Sequence, residues 1–410
     1  MLMHLSILSL RTQAEAEICL KDIGVDPGGI KIMAPKTQLL LARLNKLPIF
    51  AANILKQEAL SIGADAALSR DALTGRVKYT DCLLIGNRHQ IAELCEKLKI
   101  QPYGLKARAA GLLQACSNYQ RDKFILDLGR YKLDLSSHTH IMGIVNMTPD
   151  SFSGDGLSQA AGRRPQGADI LEYVQKLVDE GADIIDIGGE SSRPGAKPVS
   201  LKEELERVIP AIKKISKKIK VPISVDTYKS EVARQALDSG AVIVNDISAL
   251  RGDPRMAKIV SKYKAGLVLM HMKGSPLNMQ RNPQYHNLMQ EIVEYLGKAI
   301  ELACGSGIDF EKIVLDPGIG FGKTLEHNLR IIKSLGQLRI LGRPILIGTS
   351  RKSFIGKIAG LNAGQSAIQR LAATISSNCL SVFNGARILR VHDIKESKQA
   401  LALLDKILSA

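Results

Sequence analysis

From residue 139 onward, short apolar runs rich in β-branched residues alternate with longer stretches in which apolar residues recur every three or four positions. The short runs predict buried strands, and the longer stretches predict amphipathic helices. The predicted strands are Ile141–Asn146, Asp183–Ile187, Ile223–Asp226, Val242–Asn245, Gly266–Met270, Ile313–Asp316, Ile345–Gly348 and Arg387–Val391. The predicted helices include Ile170–Glu180, Lys202–Lys218, Ser230–Ser239, Leu288–Cys304, Leu325–Leu335 and Ala367–Ser377.

Regular alternation of strands and helices indicates a parallel sheet whose strands are joined by right-handed crossovers. Eight such units within about 270 residues predict a closed (β/α)8 barrel, the TIM barrel. A doubly wound open sheet is the alternative, and such a sheet often carries a glycine-rich dinucleotide loop after its first strand. The first strand here is followed by NMTPDSFSGDG, which lacks that pattern.

The first 138 residues have a different pattern and contain no motif with catalytic spacing. Strand-like runs are predicted at Leu5–Leu10, Ile30–Met33 and Asp81–Ile85. Helical stretches are predicted at Ala51–Ile62, Gln90–Leu98 and Leu105–Ala115. We therefore expect a smaller α/β domain of unassigned role in residues 1–130, followed by the barrel in residues 131–410, with Arg121–Ser137 as the joining segment.

Polar residues gather at the carboxyl ends of the predicted barrel strands. Six of them lie at or just beyond a strand end: Asn146, Glu190, Asp226, Asn245, Asp316 and His392. Any one could be a helix cap or a turn residue, because Asn and Asp are favoured at both. Their recurrence at so many strands favours a shared site, and the carboxyl ends form the catalytic face of such a barrel.

The composition is that of a globular protein, with 45% hydrophobic and 23% charged residues among 410. No apolar run approaches the ~18 residues that a membrane span needs, and the start of the chain does not resemble a secretory signal. The six cysteines lie far apart and form no CxxC pair. We therefore expect no disulfide scaffold and no thiolate zinc site, but reduced thiols in a cytoplasmic protein.

The formal net charge of +16 raises the question of a nucleic-acid partner. The excess is spread over both parts of the chain, without a basic arm, and the chain has no Trp and only 4% aromatic residues for base stacking. We therefore expect no nucleic-acid partner and no membrane partner. A general positive field is better suited to attracting small anionic substrates.

Several loops carry candidate binding groups. Arg193, in GGESSRPGA, is a candidate anion clamp because its planar guanidinium matches a phosphate or carboxylate. Asp226 in SVDT and Asp316 in VLDPG each end a predicted strand. If they face the barrel mouth, they can bind a flat heterocycle with adjacent ring N–H and amino donors. The glycines of PGIGFGKT let the backbone approach a ligand closely, although their spacing does not match a Walker loop.

The loops after the seventh and eighth strands form the usual phosphate site of this barrel. TSRKSF places Arg351 and Lys352 after the seventh strand, and RVHDI places Arg390 and His392 at the end of the eighth. Since the first and eighth strands are neighbours in a closed barrel, we expect Arg390, His392 and Asn146 to converge on an anion.

Seven motifs together resemble dihydropteroate synthase of the folate pathway. They occur in that family's order, and the resemblance covers residues 139 to about 408. The motifs are NMTPDSFS, GGESSRPGA, SVDT, NDIS, LDPGIGFGKT, TSRKSF and RVHDI. The resemblance implies a cytoplasmic (β/α)8 transferase that is a target of sulfonamides and forms a homodimer. It joins 7,8-dihydropterin-6-ylmethyl diphosphate to 4-aminobenzoate and releases diphosphate with the help of Mg²⁺.

The resemblance also implies roles for single residues. The pterin ring would be held by Asp226, Asn245, Asp316 and Lys352. Asn146 would be the Mg²⁺ ligand, and the residues acting in catalysis would be Arg193, Lys352, Arg390 and His392. The diphosphate would contact Arg390 and His392, with Ser192 and Arg193 near the diphosphate and aminobenzoate ends, and the aminobenzoate pocket would be walled by Phe321, Lys352 and Ser353.

Two positions depart from the family's pattern. Ser192 stands where the family often has Thr, which keeps the hydroxyl, and Ile319 stands where it often has Phe, which bears on the aminobenzoate pocket. A methyltransferase on the same barrel, dependent on a pterin or a corrinoid, and a non-catalytic pterin-binding protein are the alternatives. SRKS and RVHDI favour the synthase, because the methyltransferases have no diphosphate to bind.

Overall fold

The computed structural model describes residues 5–10, 12–147, 169–191, 196–360 and 367–409. The chain forms two compact units, Met1–Asn118 and Tyr119–Ala410. The sequence placed the domain boundary after residue 130, whereas the compact units divide earlier. The reason is that the side chains of Phe124, Leu126 and Leu128 pack into the core of the larger unit.

The smaller unit is built on a three-stranded antiparallel sheet with the order β1-β3-β2. Its strands are β1 (Leu39–Pro48), β2 (Asp65–Leu68) and β3 (Tyr79–Asn87). Its helices are α1 (Gln13–Asp22), α2 (Pro27–Met33), α3 (Ile49–Ser61), α4 (Arg70–Leu73), α5 (Arg88–Leu98) and α6 (Leu105–Gln120), with a 3₁₀ turn at Ala34–Thr37. Alternate residues of β3 are buried, and Cys82 and Leu84 pack against apolar residues of α3, α5 and α6.

The predictions for this unit succeed in part. The strand at Asp81–Ile85 and the three helices are confirmed within β3, α3, α5 and α6. The predicted strand Ile30–Met33 is wrong, because it lies in α2, where Asp26 accepts hydrogen bonds from the amides of Gly28 and Gly29 and so caps the helix. Leu5–Leu10 has no regular secondary structure.

The larger unit is a closed barrel of eight parallel strands in chain order, as predicted. The strands are β6 (His140–Asn146), β7 (Ile184–Gly188), β8 (Ile223–Asp226), β9 (Ile243–Asp246), β10 (Gly266–Met270), β11 (Ile313–Asp316), β12 (Ile345–Ile347) and β13 (Ala386–Val391). Each predicted strand agrees with the observed bounds to within one residue at either end.

Helices surround the barrel. They are α7 (Ile170–Asp179), α8 (Leu201–Ile215), α9 (Ser230–Asp238), α10 (Met256–Tyr263), α11 (Leu288–Gly305), α12 (Leu325–Lys333), α13 (Ser353–Ile358), α14 (Leu371–Phe383) and α15 (Ile394–Ser409). Three 3₁₀ turns lie at Phe310–Lys312, Leu335–Leu341 and Ala367–Arg370. The six predicted helices are confirmed, although the last begins as a 3₁₀ turn, and α10, α13 and α15 were not predicted. Apolar residues of the helices and of the outer faces of the strands form the main core.

A short hairpin closes the amino-terminal end of the barrel. It consists of β4 (Ile125–Asp127) and β5 (Lys132–Asp134), which pair antiparallel. Its apolar residues pack on the first layer of inward-facing side chains, which includes Met142, Ile184, Ile243, Val268, Val314, Leu346 and Ile388. Arg121, just before the hairpin, and Arg343 of the barrel both form ion pairs with Glu311. The hairpin thus belongs to the barrel unit, and the carboxyl ends of the strands remain for a site.

None of the helices described is both long and apolar enough to cross a membrane. All six cysteines are free thiols. Burial raises the pKa of the Cys82 and Cys95 thiols to about 11, which makes both weak nucleophiles at neutral pH.

Candidate active site at the carboxyl ends of the barrel strands

The interior of the barrel becomes polar towards the carboxyl ends of its strands. Alternate residues of each strand face the interior. Strands β7, β9, β11 and β13 contribute the bottom-layer residues Ile184, Ile243, Val314 and Ile388. Two positions further along the same strands are Asp186, Asn245, Asp316 and Arg390. These four polar side chains therefore face the interior, nearer the mouth.

Arg390 is the centre of a hydrogen-bonded cluster in this layer. Its Nε donates to Oδ2 of Asp186 over 2.7 Å, and its Nη2 donates to Oδ2 of Asp226 over 2.7 Å. Asn245 donates from Nδ2 to Oδ2 of Asp186 over 3.1 Å. Burial opposes the charge of Arg390, but the two carboxylates more than offset it, so that its pKa is raised. The guanidinium is therefore a permanent positive charge inside the barrel.

Asp226 and Asp316 are carboxyl groups with different neighbours, and Asp316 is buried while the side chain of Asp226 is 12% exposed. Burial raises the pKa of Asp226 to about 7, against the lowering effect of Arg390. Burial also raises the pKa of Asp316, whereas the amide of Gly318, which donates to its Oδ1 over 2.6 Å, and the charge of Lys352 lower it. Both groups therefore retain a strong demand for hydrogen-bond donors from a ligand.

The segment after Asp316 approaches another strand end very closely. Gly318 has φ +68°, and a Cβ at this position would lie 2.0 Å from the carbonyl oxygen of His271. Only glycine fits this contact. Further along, Phe321 lies beneath Lys352, whose Nζ is 4.3 Å from the ring centroid. The segment after β11 and the loop after β12 therefore place an aromatic wall and a cation side by side.

Ile319 takes no part in that wall. It is buried in the main core between the strands and the helices, whereas Phe321 belongs to a small apolar cluster with Ile247, Met270 and Met279. The departure at Ile319 therefore bears on packing of the core in this structure.

Sequence reasoning missed Lys323 and its partner His271, which are both buried. Lys323 is only 2% exposed, and its Nζ lies 2.9 Å from Nδ1 of His271 and 3.0 Å from the carbonyl oxygen of Phe321. Burial lowers the pKa of Lys323 to about 7 and that of His271 to about 2, so the imidazole is neutral. The lysine in GFGKT, seven residues after the acid that ends β11, was the available signal.

The groups expected at an anion site lie around the ends of β6, β12 and β13. Nδ1 of His392 is 3.1 Å from Oγ of Ser350. Arg351 donates from Nε to Asp393 over 3.1 Å and is thus already paired. Arg390, by contrast, extends to the acids of β7 and β8.

The remaining predicted residues differ in what the structure shows of them. Asn146 is the exposed last residue of β6, and Ser353 is the exposed first residue of α13. Ser192 and Arg193 lie outside the described residues. On either side of them, Glu190 and the carbonyl oxygen of Val199 both accept hydrogen bonds from Nζ of Lys229, over 2.5 and 2.8 Å. Glu190 is therefore part of an ion pair with Lys229.

The side chain of Asn146 suits a hard metal ion as a single ligand. Its amide oxygen forms no hydrogen bond within the described ranges, and those ranges contain no group of three or more His, Cys, Asp or Glu side chains that could hold a metal ion. Mg²⁺ is commonly bound through one or two protein oxygens, with phosphate oxygens and water completing the shell. The residues present fit that mode of binding.

A closed parallel barrel with acids at the carboxyl ends of its strands has the architecture of a TIM-barrel enzyme. The pterin binding enzyme family matches residues 142–392 of this chain, and the chain belongs to that family.

The relatives narrow the class to dihydropteroate synthases. The dihydropteroate synthase of Synechocystis sp. is 42% identical over 282 residues, which are 69% of this chain and 94% of the relative. The Yersinia pestis dihydropteroate synthase, solved with a sulfonamide drug complex, superposes with a TM-score of 0.64 at 38% identity and covers 70% of this chain and 100% of its own. The Xanthomonas albilineans enzyme, solved with 7,8-dihydropteroate, gives a TM-score of 0.59 at 36% identity, with coverages of 70% and 99%.

These three similarities indicate a transferase of the dihydropteroate synthase type in the barrel unit. Since each covers nearly the whole relative but only about 70% of this chain, none of them accounts for the whole of this chain.

Proposed function

We propose that this protein condenses 7,8-dihydropterin-6-ylmethyl diphosphate with 4-aminobenzoate to give 7,8-dihydropteroate and diphosphate. The observation that carries the proposal is the cluster at the barrel mouth, where Arg390 bonds to Asp226 beside Asn245. Such a cluster offers acceptors and a cation to a flat, donor-rich ring with an anionic substituent.

The buried acids would bind the pterin ring. A pterin presents adjacent ring N–H and amino donors, and an ionised carboxylate accepts two such bonds. Asp316 would take one donor pair, while Asp226 and Asn245 would bind the other side of the ring. Lys352 would contact the ring from the mouth and would also face the aminobenzoate.

The reaction then follows from charge. The bond between the pterin methylene carbon and the diphosphate oxygen breaks, and the amine nitrogen of 4-aminobenzoate bonds to that carbon and loses a proton. Negative charge grows on the departing diphosphate, which Arg390, His392 and Arg193 would stabilise. Positive charge grows on the pterin, which the carboxylate of Asp316 would favour. The aromatic amine is weakly basic, so its attack requires no strong general base.

Asn146 would hold Mg²⁺ together with oxygens of the diphosphate. The ion would supply positive charge to the leaving group when bound. Asn146 contributes a neutral oxygen at the end of β6, the strand that neighbours β13 and its His392. This position would keep the ion on the diphosphate side of the pocket.

The aminobenzoate pocket would be walled by Phe321, Lys352 and Ser353, with Ser192 and Arg193 near the diphosphate and aminobenzoate ends. The ammonium of Lys352 over the Phe321 ring supports this assignment, because it pairs an apolar wall for the benzene ring with a cation for the carboxylate. A sulfonamide would compete for the same pocket.

We further propose that the protein is a cytoplasmic homodimer. Large apolar side chains are exposed on two helices that pack together, namely Leu380 and Phe383 of α14 and Leu403 and Ile407 of α15. An exposed apolar patch of this kind is typical of a contact surface. Light scattering of the purified chain should give twice the monomer mass, and a monomer would contradict the proposal.

The decisive experiment supplies both substrates with Mg²⁺ and measures dihydropteroate and diphosphate together. We expect equal amounts of both products, inhibition by sulfanilamide, and relief of inhibition by added 4-aminobenzoate. Methyl transfer from a methylated pterin, without diphosphate release, would instead identify a methyltransferase.

A further inference from the structure

Asp186 lies in the same inward-facing layer as Asn245, Asp316 and Arg390, but none of the sequence motifs singles it out. It is the third residue of β7 and is fully buried, with an exposed fraction of 0%. Inward positions in the middle of barrel strands are normally filled by Val, Ile or Leu. Burying a carboxylate here destabilises the fold unless an opposite charge pairs with it. Asp186 therefore requires a cationic partner.

That partner is Arg390. Asp186 takes the Nε–H of the guanidinium, while Asp226 takes one N–H of Nη2. Oδ1 of Asp186 and the neighbouring Oγ of Ser224 are buried without hydrogen-bond partners in the part of the chain that the structure describes. Two unpartnered polar atoms are a net cost to the fold. The ion pair between Asp186 and Arg390 is the interaction that opposes this cost.

The direction of the Arg390 side chain follows from this pair. Arginine and a single carboxylate favour a two-bond arrangement that occupies both carboxylate oxygens. Because Asp186 holds Nε, Arg390 reaches Asp226 through Nη2 alone and engages only Oδ2 of that group. Oδ1 of Asp226 has no bond to a described residue and remains for a ligand. Asn245 also contacts Asp186, because its Nδ2 donates to Oδ2 of Asp186. The amide oxygen of Asn245 therefore faces away from Asp186.

We propose that Asp186 is a positioning residue: it holds Arg390 through Nε and thereby keeps one oxygen of Asp226 open for the pterin. The inference rests on the proposed function, since it assigns Asp186 a part in binding that reaction's pterin substrate. Asp186 itself lies beneath the ring site and acts through Arg390.

The first test is Asp186→Asn, which keeps the shape and removes the charge. Arg390 should then turn to Asp226 and occupy both of its oxygens. We expect the KM for the pterin diphosphate to rise about tenfold or more, as for a lost charge-assisted hydrogen bond, while the KM for 4-aminobenzoate stays within about twofold. The acid limb of the pH profile for pterin should move to lower pH, because a neighbouring negative charge is gone and Arg390 lies closer to Asp226.

Asp246→Asn is the matched control. Asp246 is also fully buried on a barrel strand, but its oxygens accept from the amides of Ser248 and Leu250 and from the Ser248 hydroxyl. Its loss should lower the midpoint of thermal unfolding without a change in either KM. Asp186, Glu204 and Asp246 all raise the pKa of Asp226, and Asp246 has the weakest effect of the three, so the acid limb should move less in Asp246→Asn than in Asp186→Asn. If Asp186→Asn behaves in the same way, Asp186 is structural and the proposal is overturned.

A second variant pair keeps the test informative if Asp186→Asn does not fold. Asp186→Asn combined with Arg390→Gln removes the buried charges together, and this is better tolerated than removing one partner. Because Asp186 acts through Arg390, the double variant should bind pterin within about twofold of Arg390→Gln alone, as measured by calorimetry. A further tenfold loss would overturn the proposal. Inactive wild-type protein would instead contradict the proposed function.

Discussion

The guanidinium of Arg390 and the carboxylate of Asp226 are joined by a 2.7 Å hydrogen bond, although two strands separate β13 from β8 in the barrel. The closed sheet makes this contact possible, because side chains of distant strands meet at the barrel axis. The pair couples the charge of Arg390 to the protonation of Asp226. Binding of a donor-rich ring at Asp226 should therefore depend on pH and on Arg390.

The first prediction concerns this pH dependence. Asp226 must be ionised for its open Oδ1 to act as a strong acceptor of a pterin donor, and burial raises its pKa to about 7. The affinity for the pterin should therefore increase as the pH rises through about 7. Arg390 lowers this pKa, so Arg390→Gln should move the acid limb of kcat/KM for the pterin to higher pH, opposite to the shift expected for Asp186→Asn.

Arg390→Gln should also weaken pterin binding at the plateau by about 1.5–3 kcal/mol, the cost of a charge-assisted contact. Arg234→Gln is the control, because Arg234 also pairs with two carboxylates, Glu231 and Asp238, but on the surface of α9. An unchanged pH profile and unchanged KM values in Arg390→Gln would show that Arg390 does not serve the site.

The second prediction concerns Asp316. Asp316→Asn keeps the size of the side chain, and its oxygen can still accept the amide of Gly318. The variant replaces one acceptor by an amino group that would face the donors of the pterin. We expect a normal thermal unfolding curve and loss of pterin binding in calorimetry. Tight binding by this variant would remove Asp316 from the pocket.

The third prediction concerns Gly318. Gly318→Ala places a Cβ 2.0 Å from the carbonyl oxygen of His271, so the segment leading to Phe321 must move. We expect the KM for 4-aminobenzoate to rise and stability to fall. Gly129→Ala in the β4–β5 turn is the control, since Gly129 also has positive φ but nothing within 4 Å of the added carbon. Equal effects of both substitutions would mean that backbone strain alone, and not the close contact, matters.

The sequence was sufficient to predict the barrel because its strands are buried on both faces. Runs such as Ile313–Asp316 are therefore nearly all apolar and end at a polar residue, which marks both the strand and its catalytic end. In the smaller unit the polar residues Arg43, Asn45 and Lys46 interrupt the apolar run of β1, and Arg43 and Lys46 are exposed. That strand was missed, and a helix-forming run at Ile30–Met33 was taken for one.

The site was less predictable because its partnerships depend on the register of the closed sheet. Asp186 lies within an apolar run, two positions after Ile184, and only strand alternation shows that it faces the interior. The sequence paired Arg390 with His392 in an anion site, since both lie at the end of one strand. The observed partners of Arg390 come from strands more than 160 residues earlier in the chain, a relationship that no local pattern contains.

The last prediction concerns where the barrel unit begins. The smaller unit contains no catalytic motif, so we expect the barrel alone to turn over both substrates. The cut must leave the β4–β5 hairpin intact, because its apolar residues cover the bottom layer of the barrel.

A chain of residues 119–410 should therefore be soluble and active, with KM values close to those of the full chain. A chain of residues 131–410 lacks Phe124, Leu126 and Leu128, and with them the ion pair between Arg121 and Glu311. Removing three large buried side chains exposes the bottom layer, and the loss should amount to several kcal/mol. We expect this shorter chain to aggregate or to unfold at a markedly lower temperature. Equal stability of the two chains would show that the hairpin contributes little, whereas a soluble but inactive 119–410 chain that still binds pterin would show that the smaller unit takes part in the chemistry.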